Sequence, residues 1–527
     1  MSAVITRERL AALDMKEIVQ ALSSPGVLPL GHAVIQARHL GRLASLRCSA
    51  SAGLHRFHSW LVGSFLRVKS YFRNLQTAFE TVFECVVLLG LTPYFSRHLA
   101  LFGDLRTWVS DSISHEFVQT TIMELVLWQV SELIACVLST ERYSPVKRAL
   151  FEEDHEQFRE LATEFNTREV SGKYAQWEKD HQIPREVWQS AGENGLLGLA
   201  VPEEFGGMGI DDYRFRVVMD EEFVRAGHLA VALAFHLHDD LVLPYLLAYG
   251  SAELKAKWLP RMVDGSTITS CAFTEPGAGS DLRAVRTKAV PDGEDWLLSG
   301  QKTFIGNGAF GDAALVLART DGQSSRASED SFSLFMVERS EGYTNGNPFD
   351  KMGLRASDTA ELFFDEVRVS DADRIGEIGQ GLRYVKEQLP QARLAIAVAA
   401  AAICTASFEQ ALEHAKNRST FGQALTQYQN TRFELANLKT ESHVTQAFVD
   451  QAVLAFNDGE LDAHEAAEVK LWASESAKKL SDKALQIHGG YGYIMEYPIA
   501  QSFTAARLLT IFGGTSEIMR ETIGRAL

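Results

Sequence analysis

The stretch CAFTEPGAGSDL, residues 271–282, follows a predicted strand and closes in a glycine-rich turn. Glycine lets the backbone approach a ligand closely, and the amides of such a turn can bind a flat or anionic group. The hydroxyls of Thr274 and Ser280 add two further hydrogen-bonding groups. A glycine-rich turn is common by itself, so its meaning depends on the sequence around it.

The residues around this turn predict an antiparallel β-domain between two helical regions. Amphipathic helical patterns begin near residue 144 and resume at Gly381. Between them, short strand-like segments are separated by turns. They are TITSCAFTE (267–275), KAV (288–290), WLLSGQKTFI (296–305), AALVLART (313–320), SFSLFMVE (331–338) and AELFFDEVRV (360–369).

Composition limits the classes of function. The 527 residues are 46% hydrophobic and 23% charged, which is typical of a folded globular protein. The formal charge of -17 argues against a nucleic-acid partner. The five cysteines form no CxxC pair, so the sequence predicts neither a disulfide framework nor a metal site, and a reducing compartment fits best. We expect a cytoplasmic location if the protein is bacterial, in preference to the mitochondrial matrix.

Residues 1–143 differ from the rest of the chain. Residues 1–147 contain 14 Lys and Arg against 11 Asp and Glu, whereas the remainder contains 37 against 57. Three interpretations of 1–143 stay open: a helical extension for oligomerisation, a membrane-surface segment, and a start site set too far upstream. Its apolar segments are interrupted by Glu, Arg or Pro, so packed helices are favoured over membrane spans.

Four further motifs accompany the glycine-rich turn, in order. They are GLAVPEEFGGMG (198–209), RSTFGQ (418–423), QIHGGYGYIMEYPIAQ (486–501) and IFGGTSEIMRE (511–521). With these motifs, the sequence from about residue 144 onward resembles the acyl-CoA dehydrogenase family. The phrase LPQARLAIA (389–397) is most similar to the long-chain branch of that family.

The resemblance implies an α+β multidomain fold. It places an N-terminal helical domain at 144–268, a middle β-barrel at 269–372 and a C-terminal four-helix bundle at 379–527, with 1–143 unassigned. It also implies a homotetramer or homodimer, with FAD bound at subunit contacts and an electron-transfer flavoprotein as the electron acceptor.

The resemblance implies the cofactor and substrate residues. FAD would contact Cys271, Ala272, Phe273, Thr274, Gly279, Ser280, Phe304, Ile305, Gly306, Arg418, Phe421, Gln429, Gln486, Gly489, Gly490, Thr515 and Glu517. Arg418 would come from the neighbouring subunit and bind the pyrophosphate. The acyl-CoA or acyl-carrier thioester would contact Ser280, Gln391, Arg393, Gly513 and Gly514.

The family's general base is missing from both of its usual positions. The reaction removes a proton from the α-carbon of the thioester, and a carboxylate normally accepts that proton. This chain has Ala392 at the helix position and Gly513 at the alternative position, directly before the Gly-Thr of the last motif. Gly306 also replaces the hydroxyl residue usually found beside the hydride-accepting flavin nitrogen.

Four interpretations stay open. The first is an α,β-dehydrogenase that uses an unidentified base or lacks one. The second is a flavin monooxygenase with the same fold, and the third is a non-catalytic acyl-CoA binder. The fourth is a laboratory glutamate-to-alanine change at Ala392.

Overall fold

The computed structural model describes residues 148–322 and 328–527. The extension predicted at 1–143 lies outside these residues. The first described region is helical, and a π-helical turn at Asn166–Val170 follows its first helix. Its seven α-helices are α1 (Glu153–Phe165), α2 (Tyr174–Asp180), α3 (Arg185–Glu193), α4 (Arg214–Arg225), α5 (Leu229–Asp239), α6 (Leu243–Tyr249) and α7 (Ala252–Val263).

Side-chain caps define several helix starts. The Ser251 hydroxyl accepts the Leu254 amide at 3.1 Å, which satisfies one of the free amides at the start of α7. At the start of α10, the helix Ala463–His488, Asp462 and Glu465 form a capping box. These polar residues stand directly before the apolar helical pattern, so the sequence predicts the starts well.

The middle region is a sheet of eight short strands. The strands are β1 (Thr269–Ala272), β2 (Lys288–Asp292), β3 (Asp295–Gly306), β4 (Ala313–Arg319), β5 (Phe332–Glu338), β6 (Tyr343–Asn345), β7 (Thr359–Ser370) and β8 (Arg374–Ile375). Their order is β6-β7-β3-β2-β4-β5-β8, with β1 paired to β4. The sequence did not predict β6 and β8, because three and two residues are too short for a recognisable alternation.

Two predictions about this sheet need correction. The strands are not all antiparallel, because β1 pairs with β4 in parallel from Thr269↔Ala313 to Ala272↔Val316. A parallel pair needs a long connection, and here the β2–β3 hairpin lies within it. The sheet is also not a closed barrel by its hydrogen bonds. In the described residues, β6 and β8 end the strand order and no ladder joins them.

The C-terminal region is a bundle of long helices. The bundle helices are α8 (Gly381–Asn417), α9 (Gln429–Asn457), α10 (Ala463–His488) and α11 (Pro498–Leu509), with α12 (Ser516–Ala526) packed on α10. A small hairpin of β9 (Ser419–Thr420) and β10 (Gln423–Ala424) connects α8 to α9. The predicted four-helix bundle is therefore present, with one additional helix.

Strand β4 lies between two hydrophobic cores. Ala313, Leu315 and Leu317 face a core shared with α6, α7 and the start of α8. The alternate residues Ala314 and Val316 face the interior of the β-domain. Both faces are buried, which explains the uninterrupted apolar run in this strand. A third core joins α1–α5 to the bundle helices, so both helical regions pack together.

Two described stretches are long and apolar enough to cross a membrane, Leu229–Tyr249 and Gly381–Asn417. In this fold, 83% and 72% of their most apolar windows are buried inside the protein. Their hydrophobicity is therefore accounted for by core packing.

Candidate functional site

The segment 271–280 begins with the last two residues of β1 and continues into a turn that has open space beside it. Glu275 and Ala278 exchange two backbone hydrogen bonds of 2.9 and 3.0 Å. A Cβ atom added at Gly279 would meet no other atom within 4 Å, and Ser280 is exposed. The turn therefore has room for a bound group against its backbone.

The four residues before the turn differ in exposure. Ala272 is fully buried, whereas Cys271, Phe273 and Thr274 are partly exposed. Cys271 packs against the core shared with α6 and α7, and the desolvation of its thiol there raises the pKa to about 12. The Phe273 ring lies edge-on to Tyr245, with centroids 5.9 Å apart.

Lys302 of β3 fastens this segment to the sheet. Its buried Nζ donates to the Phe273 carbonyl at 3.2 Å, the Glu275 carboxylate at 2.9 Å and the Leu317 carbonyl at 2.8 Å. Burial lowers the pKa of Lys302 to about 8, against the attraction of Glu275. One buried cation therefore fixes the backbone just before the open turn.

The end of β3 carries an exposed aromatic ring. Phe304 has a φ of 58°, which is uncommon for a bulky residue, and is 69% exposed. Its ring centroid is 5.6 Å from that of Phe349. Ile305 is buried, and a Cβ atom at Gly306 would overlap Leu237 Cδ1. Leu237 therefore fills the space that a hydroxyl side chain at position 306 would need.

A second group of predicted residues lies where α8 and α10 end. The Arg418 guanidinium is 5.8 Å from the centre of the Tyr491 ring. Gly489 and Gly490 have open space beside them, and Gln486 is exposed. These residues thus form one surface with a positive charge, open backbone and an aromatic ring.

The hairpin after α8 extends this surface. Phe421 has a φ of 49° and is 99% exposed. Gln429 is the exposed first residue of α9, and the preceding Tyr428 hydroxyl donates to the Thr420 carbonyl at 2.6 Å. In the described residues, no hydrogen bond or ring contact joins this surface to segment 271–280. The two groups are therefore not brought together by contacts within one chain.

A third group lies at the start of α12. Thr515 caps this helix by accepting the Ile518 amide at 3.3 Å, and Glu517 is exposed in the first turn. Lys470 of α10 donates to the Gly514 carbonyl at 2.6 Å. Burial lowers the pKa of Lys470 to about 8.

The two positions for the family base lie beside one another. Ala392 is partly buried on α8, and Gly513 adopts a φ of 62° in the loop before α12. A Cβ atom at Gly513 would overlap Cδ1 of Ile396, which is one helical turn after Ala392. Ile396 therefore occupies the space that a side chain at position 513 would enter.

A cavity of about 30 Å³ begins at this point, between α4, α5, α8 and α11. Its lining is mainly apolar and includes Ile396 and Phe512, the neighbours of the two base positions. The lining residues are Asp220, Val224, Leu229, Ala232, Leu233, His236, Leu354, Ala395, Ile396, Ala399, Ile403, Ala505, Leu509 and Phe512. Only Asp220 and His236 are titratable among them.

A buried charged cluster stands beside this cavity. Arg216 of α4 bonds Asp239 at 2.9 Å and Asp240 at 3.0 Å. Asp240 also contacts His236 Nδ1 at 3.0 Å and accepts the Gln391 amide at 3.3 Å. Burial alone would raise the pKa of Asp240, but the Arg216 charge and the His236 hydrogen bond lower it. Asp240 is thus a buried carboxylate that holds both His236 and the residue before Ala392.

Two polar atoms at the cavity have no hydrogen-bond partner. They are Nε2 of His236 and Oδ1 of Asp220, in side chains of residues that are 5% and 2% exposed. Burial raises the pKa of Asp220 to about 8, although Arg216 acts in the opposite direction. At neutral pH, Asp220 therefore keeps its proton.

Two other predicted or nearby groups point elsewhere. The Arg393 guanidinium donates to the Ala463 carbonyl at 2.8 Å, at the start of α10, and Arg393 is not part of the cavity lining. Glu387 accepts the Tyr249 hydroxyl at 2.6 Å in an exposed position. Neither group is placed to replace the missing carboxylate.

The buried cluster around Arg216 and Asp240 was not predicted from the sequence. Its signal is FHLHDD, residues 235–240, where two histidines and two aspartates end an otherwise apolar helix. Charged groups are rarely buried unless they are paired, so this run could have been flagged. Its partner Arg216 lies 24 residues before Asp240, and no local pattern links the two.

Family models match the described part of the chain in the order of the three regions. The matched domains are the N-terminal domain of acyl-CoA dehydrogenase at 152–266, its middle domain at 270–367 and its C-terminal domain at 379–527. Fold and sequence therefore define an oxidoreductase of the acyl-CoA dehydrogenase class.

The chain belongs to the acyl-CoA dehydrogenase family. It is 41% identical over 381 residues to the mitochondrial long-chain specific acyl-CoA dehydrogenase of Sus scrofa, covering 72% of this chain and 88% of that protein. The predicted family, three-part fold and oxidoreductase class are confirmed by these matches.

Solved structures of this family have a similar fold. An acyl-CoA dehydrogenase from Geobacillus kaustophilus is 39% identical with a TM-score of 0.69, covering 71% of this chain and 98% of that one. A glutaryl-CoA dehydrogenase from Mycobacterium smegmatis in complex with FADH2 is 26% identical with a TM-score of 0.67, covering 72% and 96%.

Proposed function

We propose that this chain catalyses FAD-dependent α,β-dehydrogenation of a fatty acyl thioester to the trans-2-enoyl thioester. One observation carries the proposal: a mainly apolar cavity begins beside Ala392 and Gly513, the two positions of the family base. An apolar lining of this kind suits alkyl carbons, and a cavity of about 30 Å³ must widen on binding before it can hold a chain, with the thioester at the end where the chemistry occurs. The supporting family evidence is the identity to long-chain dehydrogenases.

The residues present fit FAD. Segment 271–280 offers open backbone, and Phe304 offers an exposed ring beside it. Arg418, in a second subunit of a homodimer or homotetramer, would bind the pyrophosphate, because a guanidinium matches phosphate oxygens. The 99% exposure of Phe421 supports a contact with another subunit. When bound, FAD supplies a two-electron acceptor, and we propose an electron-transfer flavoprotein to reoxidise it.

The protein's own part in this reaction is binding, orientation and proton removal. The cavity walls would hold the alkyl chain and exclude water, so that the α-carbon stands near Ala392. An alanine cannot accept a proton, and loss of a general base costs about 10²- to 10⁴-fold in rate. The missing carboxylate is the observation that keeps the monooxygenase and the non-catalytic binder as alternative functions.

An anaerobic absorbance titration of the FAD-loaded protein with short, medium and long acyl-CoAs tests the proposal. Bleaching of the flavin band by acyl-CoA alone is the expected result. A shifted but unbleached band would contradict dehydrogenation. Oxygen uptake with reduced flavin would then identify a monooxygenase, whereas binding without oxygen uptake would identify a binder.

A further inference from the structure

We propose that His236, positioned by Asp240, is the general base that replaces the missing family glutamate. The inference rests on the proposed function, since it names the group that accepts the α-proton. It begins from the buried nitrogen Nε2 of His236, which has no hydrogen-bond partner in a residue that is 5% exposed. An unpartnered polar atom in an apolar site is costly, so a native example needs an explanation.

The other ring nitrogen is held in place. Nδ1 of His236 lies 3.0 Å from the Asp240 carboxylate, which Arg216 holds in turn at 3.0 Å. An ionised Asp240 can only accept a hydrogen bond, so Nδ1 carries the proton and Nε2 carries the lone pair of the neutral ring. The carboxylate would also stabilise the imidazolium that forms when Nε2 takes up a proton.

The location of His236 matches the location of the lost base. His236 lines the same cavity as Ile396, and Ile396 contacts the space beside Gly513. Asp240 accepts the amide of Gln391, the neighbour of Ala392. His236 thus lines a cavity whose wall contains Ile396, one helical turn after Ala392, and Phe512, the residue before Gly513.

The strand end that is predicted to contact the flavin lies against the same helix, α5. Leu237 follows His236 in α5, and its Cδ1 fills the space beside Gly306, the position that the family places next to the flavin. The thioester would therefore lie between this segment and α8, within reach of α5. Two neighbouring residues of α5 therefore contact the two parts of the site: His236 lines the cavity and Leu237 contacts the position of Gly306 on β3.

The charged groups around His236 are the other candidates for the general base, and each of them is already engaged or protonated. Arg216, Asp220, Asp239 and Asp240 surround it from α4 and from the end of α5. Asp239 and Asp240 are engaged by Arg216. Asp220 shares the cavity but holds its own proton at neutral pH, because burial raises its pKa to about 8. His236 is the group left with a free lone pair.

The proton transfer is balanced without an oxidant. The C–H bond at the α-carbon breaks, its electron pair stays on the thioester as the enolate, and a new N–H bond forms at Nε2. The imidazolium remains paired with the Asp240 carboxylate. Hydride loss from the β-carbon to FAD is a separate event, so the proton step can be measured alone.

The test uses the FAD-loaded full chain and a 3-thia-acyl-CoA, whose sulfur replaces the β-carbon and prevents hydride loss. Exchange of its α-protons with D2O is followed by proton NMR, and its affinity by titration. We expect His236→Gln to lower the exchange rate at least 100-fold with affinity unchanged within about threefold. Gln can still donate to Asp240, and His443→Gln on α9 is the matched control that should exchange at the wild-type rate.

A double variant separates proton transfer from structure. His236→Gln combined with Ala392→Glu should regain exchange, because a carboxylate again faces the α-carbon. The assignment would be overturned if this rescue failed or if His236→Gln exchanged at the wild-type rate. It would also be overturned if Asp220→Asn lost exchange while His236→Gln kept it. Wild-type protein that binds the probe without exchange refutes the base alone, whereas absence of binding refutes the proposed function as well.

Discussion

At the scale of single residues, Ala392 and Gly513 are not equivalent places to restore a carboxylate. In a protein that also carries His236→Gln, Ala392→Glu should raise the rate of flavin bleaching about 100-fold, since it adds a carboxylate one helical turn before Ile396 of the cavity wall. Gly513→Glu should give no gain, because Ile396 fills the space and a φ of 62° costs a non-glycine residue about 1–2 kcal/mol. Stopped-flow absorbance and thermal melting measure both effects. Equal rates in the two variants would contradict this geometry.

Arg418 gives a second prediction for a single residue. Arg418→Ala should lower the FAD content of the purified protein at least tenfold after dialysis, because the pyrophosphate loses its guanidinium. Arg525→Ala, an equally exposed type of site in the last turn of α12, is the control. The absorbance ratio of flavin to protein is the measurement, and unchanged flavin in Arg418→Ala would refute this cofactor placement.

Asp220 links this site to the pH dependence of stability. Its folded pKa of about 8 lies above the ordinary value of 3.8, so its stabilising contribution is complete below about pH 4 and is lost as pH rises through 8. Asp220→Asn cannot ionise. Its melting temperature relative to wild type should therefore increase from pH 5 to pH 9. Asp482→Asn, at an exposed position of α10, is the control for an aspartate-to-asparagine change outside the cavity.

At the scale of elements, β3 and β1 depend on one lysine. Lys302→Met removes the cation that pairs with Glu275 and binds two carbonyls, so unfolding should become easier by about 3–5 kcal/mol. The flavin segment should loosen with it, and FAD should be lost at lower temperature. Thermal melting followed by flavin fluorescence measures both. Lys288→Met on β2 is the control, and equal melting of the two variants would exclude this role.

The sequence predicted these elements where their pattern is local. The two-residue turn between β2 and β3 follows from its glycine, since Asp292 pairs with Asp295. The parallel pairing of β1 with β4 could not be predicted, because it joins residues about 44 positions apart and no alternation within either strand records the partner. The same limit hid Lys302, which reads as one polar residue in a strand.

At the scale of the whole molecule, the family motifs predict the order of the three regions. They do not predict which residues of different helices come together at the cavity. The motif residues predicted to contact FAD lie on local segments of sequence, so the resemblance alone could propose their positions. The cluster of Arg216, His236 and Asp240 could not be proposed in this way, because it forms only when α4 packs on α5. Residues that carry a family's common chemistry are visible in sequence, whereas a substitute built from different helices is not.

Self-association is the prediction at this scale. Phe433, Val444 and Phe448 are 58%, 52% and 38% exposed and fall within about 60° of one another around α9. Such a stripe of exposed apolar residues is typical of an interface. Val444→Glu should lower the mass measured by sedimentation equilibrium to that of a smaller assembly or monomer. Lys483→Gln on α10 should leave the mass unchanged, and a wild-type monomer would contradict the expected homodimer or homotetramer.

The overlap between Ile396 and any side chain at position 513 also affects the order in which mutations could restore a glutamate. A carboxylate can reappear on α8 through one substitution, because Ala392 is only partly buried and lies one helical turn before Ile396 of the cavity wall. To reappear in the loop, it also needs the terminal methyl of Ile396 to be moved or removed, because a Cβ atom at Gly513 would overlap Cδ1 of Ile396. The two routes to a glutamate base are therefore separated by epistasis, and a lineage that carries this isoleucine is expected to regain its acid on the helix first.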